Sequence, residues 1–255
     1  VLSFSETVMR SSLVVSKITI SSGPSASYFY TLTQDSGLAS QPKYSPVVVV
    51  PLSTTDLNRV KQIVQLATSM NNTYLYIQLG TVLDMSSNPS AAILASSPLQ
   101  VLNYVQDLIP PALIAFDLDM NSGILTLYFF ETINPTTIDM SQFVLQSSFN
   151  GSTASPFAQF AFSGGFVMPG TPNPNVTVQL TVPDQNEVKR LAILATSTNT
   201  TFIHVAAAGV QDMNHNYIMP ITLDAGIQVN TFVPDTIPPQ LITFDLNLVT
   251  EQVIF

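Results

Sequence analysis

Residues 109–120 read IPPALIAFDLDM, and residues 237–248 read IPPQLITFDLNL. The offset between them is 128, and it recurs without a gap elsewhere in the chain. DLNRVKQIVQLATSMNNTY (56–74) answers DQNEVKRLAILATSTNTTF (184–202), and VLDMSSN (82–88) answers VQDMNHN (210–216). Over 56–120 against 184–248, 27 of 65 positions are identical. Chance gives only a few, so the chain is an internal duplication. The start of the copy follows with an offset near 125, FSETVMRSSLVVSKITISS (4–22) matching FFETINPTTIDMSQFVLQS (129–147). The difference of three places a small insertion between about 149 and 175, a stretch rich in Gly, Pro, Ser and Asn as a variable loop is.

Within a copy the pattern is that of strands. ILTLYFFETI (124–133), FVLQSS (143–148), VTVQLTV (176–182), TFIHVAAAGV (201–210) and IQVNTFV (227–233) are short runs rich in β-branched and aromatic residues, bounded by turn-type clusters. Val176, Val178, Leu180 and Val182 alternate with Thr177, Gln179 and Thr181, which marks a strand with one buried face. One helical candidate per copy starts at Asp56 or Asp184, read as an N-cap, with Val60, Ile63 and Val64 or Val188, Leu191 and Leu194 at helical spacing. A single short turn is expected there. About seven strands in 128 residues fit an all-β unit, a β-sandwich with enlarged loops.

The cut is out of phase with the duplication. Residues 1–106 form a unit without its opening strand, the counterpart of LIAFDLD (113–119). Residues 107–234 form a complete unit, and 235–255 carry a spare copy of that strand, LITFDLN (241–247), running on to Phe255. An apolar orphan strand and a sheet with an unpaired edge complement one another. Strand addition through Leu241, Ile242, Phe244, Leu246, Val253 and Phe255 therefore predicts a head-to-tail homopolymer, or two periods of a longer tandem chain. The start, Val1-Leu2-Ser3-Phe4, has neither an initiator Met nor a basic segment, and reads as a mature or excised end.

Composition narrows the function. Seven Lys plus Arg stand against sixteen Asp plus Glu, a formal charge of −9, and only 9% of residues are charged although 46% are hydrophobic. Scattered cations cannot build the basic patch of a nucleic-acid binder. With no Cys, disulfide and Cys-zinc frameworks are excluded. Purely apolar runs are short, Val47 to Leu52 and Leu108 to Phe116 among them, so membrane insertion is not expected.

Candidate chemistry is sparse. Asn71, Asn150, Asn175 and Asn199 head N-x-S/T triplets without a central Pro, and Asn71 and Asn199 fall at the same place in both copies. Covalent glycans are expected there, the alternative being a polar turn before a strand. Asp107, Asp117, Asp119, Asn121 and Asp235 offer oxygen ligands of the kind Ca²⁺ takes, but without a dense D-x-D-x-D loop they read as turn and capping residues. Neither a metal nor a cofactor is expected. His204 and His215 face Tyr76 and Ser87 in the other copy, and Glu6 and Glu131 recur as strand ends do. G-x-S-x-G, H-E-x-x-H and phosphate-loop patterns are missing, so no enzyme is expected. Tyr28, Phe29 and Tyr30, or Phe157, Phe160, Phe162 and Phe166, suit a core or a contact better than a carbohydrate site.

The sequence of a Pro-Pro junction, an apolar strand, F-S-E-T-V (4–8) and a late V-x-D-M-x-x-N turn (82–88, 210–216) resembles bacterial Ig-like domains. Where that family has Gly before the last Asn, Ser87 and His215 stand. The chain is also similar to tandem repeats of giant algal and protist surface proteins, including mastigoneme-like ones. The resemblance implies two tandem Ig-like β-sandwich domains and transfers no catalytic residue. It implies a structural subunit of an extracellular or cell-surface glycosylated filament. The alternative is a cell-surface adhesin or carbohydrate-binding stalk module with residues 149–175 as its tip.

Overall fold

The computed structural model describes residues 1–33, 42–170, 172–250 and 252–254. The first unit runs β1 (Leu2–Met9), β2 (Ile18–Ser21), β3 (Phe29–Thr31), β4 (Tyr44–Val48), α1 (Thr54–Gln62), β5 (Tyr74–Ile77), β6 (Leu83–Asp84) and β7 (Leu99–Gln100). These strands form two antiparallel sheets, ordered β4-β1-β6 and β3-β2-β5-β7.

The second unit repeats the plan and adds to it. It runs β8 (Leu113–Asp119), β9 (Ile124–Asn134), β10 (Phe143–Gln146), β11 (Gln159–Ala161), β12 (Gly165–Val167), β13 (Asn173–Leu180), α2 (Val182–Arg190), β14 (Phe202–Val205), β15 (Gln211–Asp212), β16 (Ile227–Gln228) and β17 (Thr231–Val233). Its sheets are β12-β13-β9-β8-β17, with β15 also on β9, and β11-β10-β14-β16. The register repeats: Leu2 faces Val48 as Leu127 faces Val176. Among the described residues of the first unit neither β8 nor β17, which pairs parallel to β8, has a counterpart. Residues 101–112, in place of a β17, carry no regular structure.

Alternation does the local work. Val176, Val178 and Leu180 of β13 are buried while Thr177 and Gln179 are half-buried, so one face meets the core. Val182 breaks the pattern because it is already the first residue of α2, and it is exposed. Phe116 and Leu118 of β8, Leu125 and Leu127 of β9, Phe143 and Leu145 of β10 and Ile203 and Val205 of β14 join one buried cluster, with Val188 of α2 packed among them. The first unit has instead two separate small clusters, Val15, Ile18, Leu32 and Ile77, and Val8, Val48 and Val82. Half-buried Leu13 and Val50 touch both, but among the described residues no strand equivalent to β8 fuses them into one core.

This corrects the expected fold class. The all-β, Ig-like β-sandwich is not what forms. The sheets stay open rather than curling into closed sandwiches, one of them is mixed by the parallel β8–β17 pair, and two true α-helices pack beside them. Each helix is nine residues long, not a single turn, because its cap lies earlier than Asp56 or Asp184. Ser53 Oγ accepts from Asp56 N at 3.0 Å, and Thr181 Oγ1 accepts from Asp184 N at 3.1 Å. That leaves each Asp at the third helical position, buried, where it anchors the preceding loop. Asp56 accepts from Tyr30 Oη and Thr33, and Asp184 from Ser163 and the Gly164 amide.

At the C-terminal side, β18 (Asp245–Asn247) and β19 (Gln252–Ile254) pair antiparallel with each other. Leu241, Ile242, Phe244 and Leu246 are exposed, Val253 lies in β19, and Phe255 lies outside the described residues.

Candidate functional site

The two units meet through α1. Asn58 and Lys61 are three residues apart and so share one helix face. Along β9 the burial alternates until Glu131, Thr132 and Ile133, three consecutive buried residues. The strand is covered on both sides there, and α1 supplies one of the covers. Thr132 N donates to Asn58 Oδ1 at 3.2 Å, and Thr132 Oγ1 donates to the Asn58 carbonyl at 3.2 Å.

Lys61 Nζ donates to Glu131 Oε2 and pairs with Asp107 Oδ2 at 2.5 Å. Asp107 comes from the connecting segment and is itself tied to the second unit, since Asn216 Nδ2 donates to its carbonyl at 3.1 Å. Asp212, 1% exposed, completes the group. Its Oδ1 accepts from the amides of Asn214 and Asn216, and its Oδ2 from Asn216 Nδ2, each at 2.8 Å. Carboxylate oxygens of Asp107, Glu131 and Asp212 lie within 4.8 Å of one another. Glu131 is 5% exposed, and its Oε1 is buried without a hydrogen-bond partner.

The electrostatics follow from burial and neighbours. For Lys61, burial favours the neutral amine, but hydrogen bonds to Asp107 and Glu131 outweigh it and raise its pKa. Burial also opposes the charge on Asp107, yet Lys61 and the Ile109 amide hold its pKa below the usual carboxylate value. Glu131 goes the other way. Burial pushes its pKa up, Asp107 and Asp212 add repulsion, and Lys61 only partly opposes them. The cluster is therefore an ion lock with more acid than base.

The other ends of the duplication show the same parts separated. Lys189, equivalent to Lys61, pairs with Asp235, equivalent to Asp107, at 3.0 Å. The Lys189 side chain is 33% exposed against 13% for Lys61. Glu6 and Thr7, equivalent to Glu131 and Thr132, are exposed, because no described helix packs on them.

The residues singled out from the sequence are scattered over the rest of the surface. Asn71 and Asn199 are exposed in short 3₁₀ turns, Met70–Asn72 and Thr198–Thr200. The turns themselves are built by the next residue: Asn72 Oδ1 accepts from the amides of Thr68 and Ser69, and Thr200 Oγ1 from those of Thr196 and Ser197. Asn150 is half-buried, and Asn175 is exposed on β13 beside a groove of about 350 Å³ lined by Pro135, Met168 and Pro169. Of the acidic candidates, Asp119 caps its own turn through Asn121 and Ser122, and Asp117 binds Tyr128, Asn230 and Thr231. Only Asp107 joins a cluster. His204 is half-buried in β14, and burial lowers its pKa. Phe162 is core, packed edge-on against Phe160 at 6.0 Å, whereas Tyr28, Phe29 and Phe166 are exposed.

No family model, no curated protein and no solved structure matches the chain. With the open sheets, this overturns the resemblance to Ig-like repeats and to algal and protist surface proteins. It also removes the filament and adhesin readings. Strand complementation requires one closed sandwich with a strand-shaped gap. The first unit has two small separate clusters instead, and the C-terminal segment folds on itself as β18–β19. Among the described residues, no helix is long and apolar enough to cross a membrane.

Proposed function

We propose that the chain is a non-catalytic spacer displayed outside the cell, in which two copies of one open-sheet unit are held in a fixed relation. The observation that carries this reading is the Lys61 lock. It draws one residue from a helix, one from the connecting segment and two from the second unit into a single buried group. Buried ion pairs are costly to form and best attested as devices that fix one arrangement. Here the arrangement fixed is that of the two units. The acidic surface, at a net charge of −9, argues against nucleic acid as a partner. Exposed Asn71 and Asn199, at matching places in both units, support N-glycans and a secreted setting.

The chain has no Cys, so paired spin labels can be placed without background. With Ser27→Cys and Thr153→Cys, one exposed position in each unit, pulsed electron-spin resonance is expected to give one narrow distance distribution. Lys61→Met is expected to broaden it. A broad distribution in the parent chain would overturn the spacer reading.

A further inference from the structure

We propose that Asp107, Glu131 and Asp212 form a divalent-cation site at the boundary of the two units, taking Ca²⁺ through carboxylate oxygens. The inference builds on the inter-unit lock but makes a separate claim about what it binds.

Geometry comes first. Ca²⁺ sits about 2.3–2.6 Å from its oxygen ligands, so two oxygens on opposite sides of one ion lie about 4.6–5.2 Å apart. The three carboxylates already offer oxygens within 4.8 Å of one another. They come from the connecting segment, β9 and β15, and Lys61 of the first unit closes over two of them.

Charge comes second. Three carboxylates share a single ammonium, Lys61, which leaves two negative charges uncompensated when all are ionised. A divalent ion balances that excess, whereas a second lysine would not. Isolated buried charges are costly, and a carboxyl buried this far is either neutral or paired.

The third observation is the orphan. Glu131 is 5% exposed, Lys61 holds its Oε2, and its Oε1 is buried without a donor. A native buried oxygen of this kind calls for a partner, and an ion is one. Asp212 is meanwhile held by three donors from Asn214 and Asn216, which fixes its carboxylate as outer-shell contacts fix metal ligands. The first unit provides an internal control. Asp84 has the same three donors, from Ser86 and Asn88, but Glu6 is exposed and no connecting-segment acid joins them.

The test is calorimetric titration of the chelator-treated 255-residue chain with CaCl₂, alongside thermal unfolding with and without Ca²⁺. One site with Kd in the range of about 10⁻⁵ to 10⁻³ M, and a higher Tm in Ca²⁺, is expected. Glu131→Gln is expected to weaken binding at least tenfold, and Glu6→Gln to leave it unchanged. If Glu131→Gln does not fold, Asp212→Asn, which keeps a turn acceptor, carries the same expectation. Absence of saturable binding up to about 10 mM Ca²⁺, above the weakest extracellular modules, would overturn the site. So would full-strength binding by Glu131→Gln and Asp212→Asn. The spin-label distances in Ca²⁺-free buffer report the lock itself, so failure of the site and failure of the spacer reading are told apart.

Discussion

Lys61 and Glu131, 70 residues apart, form an ion pair that joins α1 of the first unit to β9 of the second. The Lys61 side chain is 13% exposed and that of Glu131 7%, so the pair sits in a medium where removing one partner strands the other. Lys61→Met should therefore cost about 3 kcal/mol, the scale of a broken buried pair. Lys189→Met removes the equivalent residue where a third of the side chain is open, and should cost about 1 kcal/mol or less. Urea unfolding of the two variants side by side measures the difference. Equal costs would mean that burial between the units adds nothing to what the exposed pair contributes.

The Asp117 carboxylate carries the pH dependence of the β8–β17 pairing. It accepts from Tyr128 Oη at 2.6 Å, Asn230 Nδ2 at 2.9 Å and Thr231 N at 2.7 Å. Burial raises its pKa, but these donors together outweigh burial and bring it below the ordinary value of 3.8. A depressed pKa means that the folded state holds this proton less tightly than the unfolded chain does. The stabilisation is thus fully present above 3.8 and is lost as pH falls through the folded value. Asp117→Asn keeps the shape but not the charge. The stability gap between parent and variant should be constant from neutral pH to about 5 and shrink below 3.8. Denaturant midpoints across that range measure it, and a gap that widens with acid would refute the assignment.

Asn71 and Asn199 project from turns whose hydrogen bonds are made by Asn72 and Thr200. Neither asparagine side chain is needed for its turn, and both are exposed. On expression through a eukaryotic secretory route, both should carry N-glycans, read as intact mass before and after enzymatic release. Asn71→Gln and Asn199→Gln should each remove one glycan and change stability by no more than about 0.5 kcal/mol, as exposed substitutions do. Unmodified asparagines would remove this support for an extracellular setting.

The duplication was legible because its offset of 128 is uninterrupted from Asp56 onward. Strand β13 was legible because its valines alternate with Thr and Gln. The sequence suggests helices shorter than those that form, because Asp56 and Asp184 have the chemistry of a cap while Ser53 and Thr181 make the capping bonds. Strand count suggests a β-sandwich, but strand count does not say whether sheets curl. The lock escaped because its members are 151 residues apart at the extremes, Lys61 to Asp212. Glu131 recurs with Glu6, which by itself suggests only a strand end. One signal did exist: Lys61 and Lys189 are the one pair of cations among the seven that coincide at the offset of 128, and Asp107 and Asp235 coincide with them. A cation and an acid repeated together at one spacing, in a chain so poor in charge, point to a pair.

Ser87 and His215 hold positive φ angles, 66° and 67°, in matching turns after Asp84 and Asp212. Glycine adopts this region without cost, whereas a side chain meets its own backbone there at about 1 kcal/mol or more. Both side chains are exposed, so shortening them disturbs no core. His215→Gly should raise stability by about 0.5–1 kcal/mol, the relief of strain being partly offset by the freer unfolded chain. His215→Ala keeps the Cβ and should give no such gain, which separates strain from any effect of the imidazole. Ser87→Gly should behave as His215→Gly does, because Asp84 and Asn88 build the same turn that Asp212 and Asn216 build. A gain confined to His215→Gly would place the effect in the imidazole's surroundings rather than in the backbone. Equal gains at both sites would show that each copy carries the same strained turn, and that the strain belongs to the duplicated fold itself.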